Sequence, residues 1–190
     1  MRKLLLISAG LIIFLNMAAQ DDEIQTIFGQ GTRISGFGGP IMNFSLMNSE
    51  LGHMMGGGGG VILNGFFFGG YGMGLTNYIE NSAGREIEFG HGGFWTGYSF
   101  FGNRPIHPSI STQIGFGGIS VKDEGSYYSF NEEPVFVLNP TIELEMNFTK
   151  FFRLCIGGHY RWVPGVDKNN LTTQDMSGPG VFLGFKFGWF

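Results

Sequence analysis

Between Pro134 and Val163 the side chains sort by parity. Phe136, Leu138, Pro140, Ile142, Leu144, Met146 and Phe148 fall on one face of an extended chain; Val137, Asn139, Thr141, Glu143, Glu145 and Asn147 fall on the other. Successive side chains on a strand point to opposite faces, so this is a strand with one oily and one polar side. The pattern repeats at once: Phe152, Leu154, Ile156, Tyr160 and Trp162 share a face, and Arg153, Cys155, His159 and Arg161 share the other. Folding the two strands about Phe148-Thr149-Lys150 sets Met146 opposite Phe152, Leu144 opposite Leu154 and Ile142 opposite Ile156, with Glu145 opposite Arg153 as a cross-strand ion pair. Two folds accept such a hairpin. A soluble β-barrel or sandwich turns the oily face into its core, whereas a membrane barrel turns it to lipid and wraps the charged face around a polar lumen.

The remaining chain favours the second fold. No segment after the first twenty residues has an apolar run long enough for a transmembrane helix or a convincing helical period. The recurring unit is strand, tight turn, strand, longer loop. Strands are expected at Thr32–Met47, Leu51–Leu63, Phe66–Tyr78, Glu86–Phe100 and His107–Val121, then in the hairpin above, then at Ser177–Phe190, eight in all. A ten-strand threading of the amino-terminal third is the alternative. Asn64-Gly65 is a strong two-residue hairpin signal. Gly102–Pro105 and Phe148–Lys150 are also short, while Ile79–Arg85, Lys122–Glu133 and Pro164–Met176 are long and polar. Short turns at one rim and long loops at the other suit an all-β, eight-stranded, antiparallel up-and-down transmembrane barrel. Only Asn48–Glu50, at the long-loop rim, is shorter than this rule prefers.

Composition agrees. The 190 residues include 34 glycines and 21 phenylalanines, against an average glycine usage of about 7%. Glycine weakens strand interiors unless the sheet must coil tightly or admit large neighbours, as in a narrow barrel. Phe66–Phe68, Tyr98, Phe100, Phe101, Phe148, Phe151, Phe152, Trp189 and Phe190 fall at the short-turn rim in this threading. Tyr78, Tyr127, Tyr128, Phe130 and Trp162 fall at the other. Two aromatic belts around an apolar band are what a lipid-facing wall needs.

The chain opens with Arg2 and Lys3, an apolar run from Leu4 to Leu15, and Ala18-Ala19. This pattern predicts a secretory signal peptide, residues 1–19, cleaved near Ala18–Gln20, with a retained anchor as the lesser alternative. Residues 20–190 form the barrel domain. No cysteine stands directly after the apolar run, which argues against a lipoprotein anchor. The full chain carries 11 basic and 15 acidic residues; without Arg2 and Lys3 the balance is 9 against 15, a net charge of −6, which argues against a nucleic-acid partner. Cys155, the one cysteine, makes no disulfide framework and reads as a small lumen filler.

Signal peptide, eight amphipathic strands, alternating short and long connections and a terminal Phe190 together resemble the small OmpX/OmpA-type outer-membrane β-barrel proteins of Gram-negative bacteria. The resemblance implies both termini in the periplasm, long loops outside, contact with outer-membrane lipid and lipopolysaccharide, and recognition of the last strand by the outer-membrane assembly machinery. A monomer is expected. Phe190 lies out of phase with the apolar set that ends at Trp189.

For sites, Glu143, Glu145, Arg153, His159, Arg161 and Lys186 should face the lumen. An eight-stranded barrel is just wide enough to be filled by side chains, so a packed ionic plug is the plain reading and a proton or ion path the sharper one. Asp123, Glu124, Glu132 and Glu133, with Tyr127 and Tyr128, make the Lys122–Glu133 loop a candidate contact surface, or a holder of divalent cations shared with lipopolysaccharide. His53, His91, His107 and His159 show no metal-ligand spacing, and no phosphate-binding glycine motif opens a helix; no metal or cofactor is expected. Catalytic residues are not expected either; a lipid-modifying His-Ser set would have to draw on His91 with Ser82 or Ser99. The expected function is therefore non-enzymatic, structural or surface-interacting, with a narrow pore or transporter, a lipid-modifying enzyme, or a soluble barrel around an apolar ligand as alternatives.

Overall fold

In a computed structural model, residues 33–122, 130–168 and 170–190 are described. Residues 1–19, Asp123, Glu124, Tyr127 and Tyr128 lie outside these, as does the Glu132 side chain. Seven long strands follow one another: β1 Ile34–Met47, β2 Glu50–Leu63, β3 Phe66–Leu75, β4 Glu86–Ser99, β5 Ile106–Lys122, β6 Phe130–Asn147 and β7 Phe152–Arg161. A two-residue hairpin, β8 Asp167–Lys168 with β9 Leu171–Thr172, and a single helical turn, α1 Thr173–Met176, lead to β10 Gly178–Gly188. β1 to β7 and β10 close into one barrel in the order β1-β10-β7-β6-β5-β4-β3-β2, every pair antiparallel. The wall therefore has the eight strands expected. Closure leaves this sheet without a first and a last strand, so every barrel strand has a partner on each side.

Turn chemistry sets the register. Asn64 (φ 52°) and Gly65 (φ 93°) both take the left-handed backbone that a two-residue hairpin needs. Asn48 (φ 46°) and Ser49 (φ 67°) do the same without a glycine. The β6–β7 turn departs from expectation. Asn147 pairs with Arg153, Met146 with Leu154, Glu145 with Cys155 and Leu144 with Ile156. Thr149 is the reason: its Oγ1 accepts from the Phe151 and Phe152 amides at 3.1 and 3.0 Å, and the Phe148 and Thr149 amides donate to the Phe152 carbonyl. The hydroxyl stabilises a wider turn than Phe148-Thr149-Lys150 alone would make. The slip is two residues, so every side chain keeps its face. Glu145 does not sit opposite Arg153; it reaches that residue diagonally.

The Pro164–Met176 connection is not simply a polar loop. Val163, Val166, Leu171 and Met176 are buried together with Ile79 from the β3–β4 connection. Thr172 and Asp175 form a capping box around α1. The Asn48 amide donates to the Asp175 carbonyl at 2.8 Å, and Asn48 Nδ2 to the Glu80 carbonyl at 2.6 Å. The long-loop end is thus covered by a small apolar lid tied to the β1–β2 turn.

Candidate functional site

The two faces separate cleanly. Ile142 and Leu144 are 72% and 53% exposed, while Glu143 and Glu145 between them are 2% and 0% exposed. Phe94, Phe116, Ile110, Val181 and Ile156 continue the outward set around the wall. The enclosed space holds the polar set, and it divides into two chemically different halves.

In the half nearer the short turns, Glu145 is the hub. Its Oε1 accepts from Lys186 Nζ at 2.5 Å; its Oε2 accepts from Arg153 Nη1 at 3.0 Å, from Ser99 Oγ at 3.1 Å and from His107 Nε2 at 2.9 Å. Glu143 Oε1 stands 3.8 Å from the same Lys186 ammonium. Two carboxylates and two cations balance, as burial requires. Strand pairing places these groups: Lys186 on β10 lies beside Arg153 on β7, and Cys155 on β7 lies beside Glu145 on β6. Glu143, Glu145 and Cys155 bring ligand-type atoms within 4.8 Å of one another, but the Lys186 ammonium already supplies the positive charge that a metal would bring there.

Lys186 also lies over three rings, 4.6 Å from the centroid of Phe67, 5.2 Å from Trp95 and 5.4 Å from Phe37. Phe37, Phe67 and Trp95 meet one another edge-on, each pair 5.4 Å apart, the arrangement that aromatic quadrupoles favour. Part of the Gly56–Gly60 run makes room for them. A Cβ at Gly58 would lie 2.9 Å from the Trp95 ring.

The half nearer the lid contains Arg161. Its Nε donates to the Met176 carbonyl at 2.8 Å, Nη1 to Ser45 Oγ at 2.6 Å, and Nη2 to the Leu46 carbonyl at 3.2 Å. Among the described residues it has no carboxylate partner. His159 Nδ1 donates to Asn139 Oδ1 at 2.6 Å, and Asn139 Nδ2 donates to Gln113 Oε1 at 2.9 Å. Tyr71 and His91 form a separate pair at 3.0 Å.

The six expected lumen residues are all buried inside, but not as one network. Glu143, Glu145, Arg153 and Lys186 meet; His159 and Arg161 belong to other groups. His107 and Ser99, which join the Glu145 hub, were legible by parity, since His107 shares the face of Ser109, Ser111 and Gln113. Phe67 and Phe190 are corrections to the aromatic belt. Phe67 is buried, and Phe190 packs its ring 3.9 Å from the Arg153 guanidinium. The belt otherwise faces out at Phe66, Phe68, Phe101, Phe148, Phe151 and Trp189, and at Tyr78 and Trp162 toward the other end. The His-Ser combinations do not assemble. His91 is bonded to Tyr71, Ser99 at the short-turn end of β4 to Glu145, and Ser82 lies in the β3–β4 connection against the Asn170 carbonyl. Glu133 is half-buried at the long-loop end of β6, where it pairs with Ile119.

No protein-family model matches the chain, and no curated protein matches it by sequence. Solved structures do. Neisserial surface protein A (NspA) shares 16% identity with a TM-score of 0.64, covering 83% of this chain and 99% of that one. Ail, the attachment invasion locus protein of Yersinia pestis, solved in complex with the heparin analogue sucrose octasulfate, shares 15% identity with a TM-score of 0.51, covering 82% and 97%. At such identity the likeness is one of fold. In fold, the chain is a small, closed, eight-stranded antiparallel barrel of the kind found in outer-membrane proteins of Gram-negative bacteria.

Proposed function

We propose that this chain is an integral outer-membrane barrel with a plugged lumen and a non-enzymatic role, structural or in surface contact. One observation carries the reading: the oily parity set faces out while Glu143, Glu145, Arg153, Arg161 and Lys186 are enclosed. In water that exposed apolar wall would drive aggregation; in lipid it is the stable arrangement. A signal peptide over residues 1–19 supplies export, and the strand ending at Phe190 is what the assembly machinery would engage. The loop ends carry Glu50, Glu80, Glu86, Glu88, Asp123, Glu124, Glu132, Glu133, Asp167 and Asp175 against Arg85, Lys122 and Lys168. An acidic outer surface suits divalent cations shared with lipopolysaccharide, or a basic partner, better than a polyanion such as the one bound by Ail.

The test places single cysteines at Leu144→Cys and Glu143→Cys in the refolded barrel and treats each with a bilayer-soluble thiol probe, in a Cys155→Ser background. Labelling at 144 alone is expected; labelling at 143 with protection at 144 would reverse the orientation. The barrel should also fractionate with outer membrane and change gel mobility on boiling, and extraction by carbonate would end the proposal. In planar bilayers it should be silent.

A further inference from the structure

Among the described residues the barrel is electrically polar along its axis, and its positive end is hollow. A cavity of about 660 Å³ opens at the short-turn mouth, lined by Arg33, Lys150 and Arg153 together with Asn64, Asn103 and Asn147. The segments that meet at this rim, residues 33–36, 62–67, 98–108, 146–153 and 187–190, contain no aspartate or glutamate. At the long-loop end a cavity of about 640 Å³ is lined instead by Glu86 and Glu88, and Glu88 there pairs with Lys122.

The cations at the short-turn mouth exceed what the lumen needs. Glu143 and Glu145 are balanced by Arg153 and Lys186, which leaves Arg33 and Lys150 without a carboxylate partner among the described residues. Polar capacity is also unused: Asn147 Oδ1 and Arg153 Nε are buried with no hydrogen-bond partner among the described residues, and Arg153 as a whole is 94% buried on its 6% exposure. Phe101, Tyr98 and Phe190 give the same cavity an apolar lining. Exposed Phe66, Phe101, Phe148, Phe151 and Trp189 surround the mouth, which puts it at the depth of lipid headgroups if the wall spans a bilayer.

We propose that the short-turn mouth binds a phosphate-bearing anion, with Arg33 and Lys150 as the recognising charges and Arg153 closing the floor. Guanidinium and ammonium groups in a partly enclosed cleft with no acidic side chain in its lining form strong charge-assisted hydrogen bonds to phosphate oxygens. The source is either a phospholipid headgroup or a soluble phosphate. Only the lipid source depends on the membrane reading.

Two arms separate the sources, both using the full folded barrel in nonionic detergent. Calorimetric titration with inorganic phosphate reads the soluble anion, and native mass spectrometry reads retention of phosphatidylglycerol against diacylglycerol of the same chains. Binding in either arm is expected, weakened by salt and reduced about tenfold by Arg33→Gln with Lys150→Gln. Lys122→Gln at the other end should leave it unchanged. Both variants should keep heat-modifiable mobility, which shows that they fold. Binding of phosphate alone identifies a soluble ligand; selective retention of phosphatidylglycerol identifies a headgroup. No binding in either arm, or equal binding by the doubly neutralised variant, overturns the proposal.

Discussion

The two halves of the lumen bury ions by different means. Near the short turns, Glu145 and Glu143 face Lys186 and Arg153, charge against charge. Near the lid, Arg161 is held by the Met176 and Leu46 carbonyls and the Ser45 hydroxyl, charge against dipoles. A carboxylate hub locks several strands of the wall to one another, because its partners come from β4, β5, β7 and β10. An arginine bonded to carbonyls instead ties together whatever carries those carbonyls, here the end of α1 in the lid and the end of β1 in the wall. The first half serves the barrel alone; the second joins the barrel to its cover.

The largest expected effect is on the first half. Glu145→Ala strands Lys186 and Arg153 beside a single remaining carboxylate, 3.8 Å away from one of them. Breaking a buried ion pair from one side costs about 3–5 kcal/mol, read as a lower urea midpoint for loss of the fast-migrating folded band. Adding Lys186→Met should recover part of that loss. If the single variant unfolds like the parent, the hub is not what holds these strands.

Arg161→Met comes next. It removes a buried charge as well as three bonds, so the two effects partly cancel, and the net cost should be about 1–3 kcal/mol. Its signature differs in kind. Proteolysis within residues 164–177 should accelerate by more than the modest fall in the wall's urea midpoint accounts for. Equal loss in lid and wall would erase the distinction between the halves.

Gly58→Val probes the aromatic side of the first half. Its Cβ would lie 2.9 Å from the Trp95 ring and 3.1 Å from the Gly70 carbonyl. Overpacking of this kind costs about 1–3 kcal/mol, and Trp95→Leu in the same chain should relieve it. If Trp95→Leu gives no relief, the ring is not what occupies that space.

What could be read from the chain follows from what each pattern encodes. Parity is local, so the inward set was legible: Glu143, Glu145, Arg153 and Lys186 needed only odd-even counting within a strand. Depth is not local. His159 and Arg161 share a face with Arg153 but lie six and eight residues further along, roughly 20 Å or more up a strand at about 3.3 Å per residue, and so they join other partners. Phe67 shows the same limit from the other side, since rim aromatics were sorted by position; Phe190, already out of phase with the set ending at Trp189, shows that the parity was the better guide. The lid was invisible because Val163, Val166, Leu171 and Met176 are scattered among polar residues with no period, and their burial is tertiary, along with that of Ile79, far off in sequence. The register of the Glu145 strand pair was missed for a local but unobvious reason, the hydroxyl of Thr149.

That hydroxyl gives the smallest and sharpest test. Thr149→Ala removes two bonds, to the Phe151 and Phe152 amides, in an exposed turn where water competes, so the cost should be about 0.5–1.5 kcal/mol. The informative variable is register. With the hydroxyl gone, a tighter turn would pair Glu145 directly with Arg153 and move Cys155 opposite Glu143. Both registers keep the same faces, so the lumen would survive and only its pairings would change. Cross-strand amide contacts by NMR decide it: Glu145 opposite Cys155 should persist in the variant if the four groups around Glu145 dictate the pairing. Should the ladder slip by two, the turn governs the network, and the short-turn half owes its arrangement to one surface threonine rather than to its buried ions.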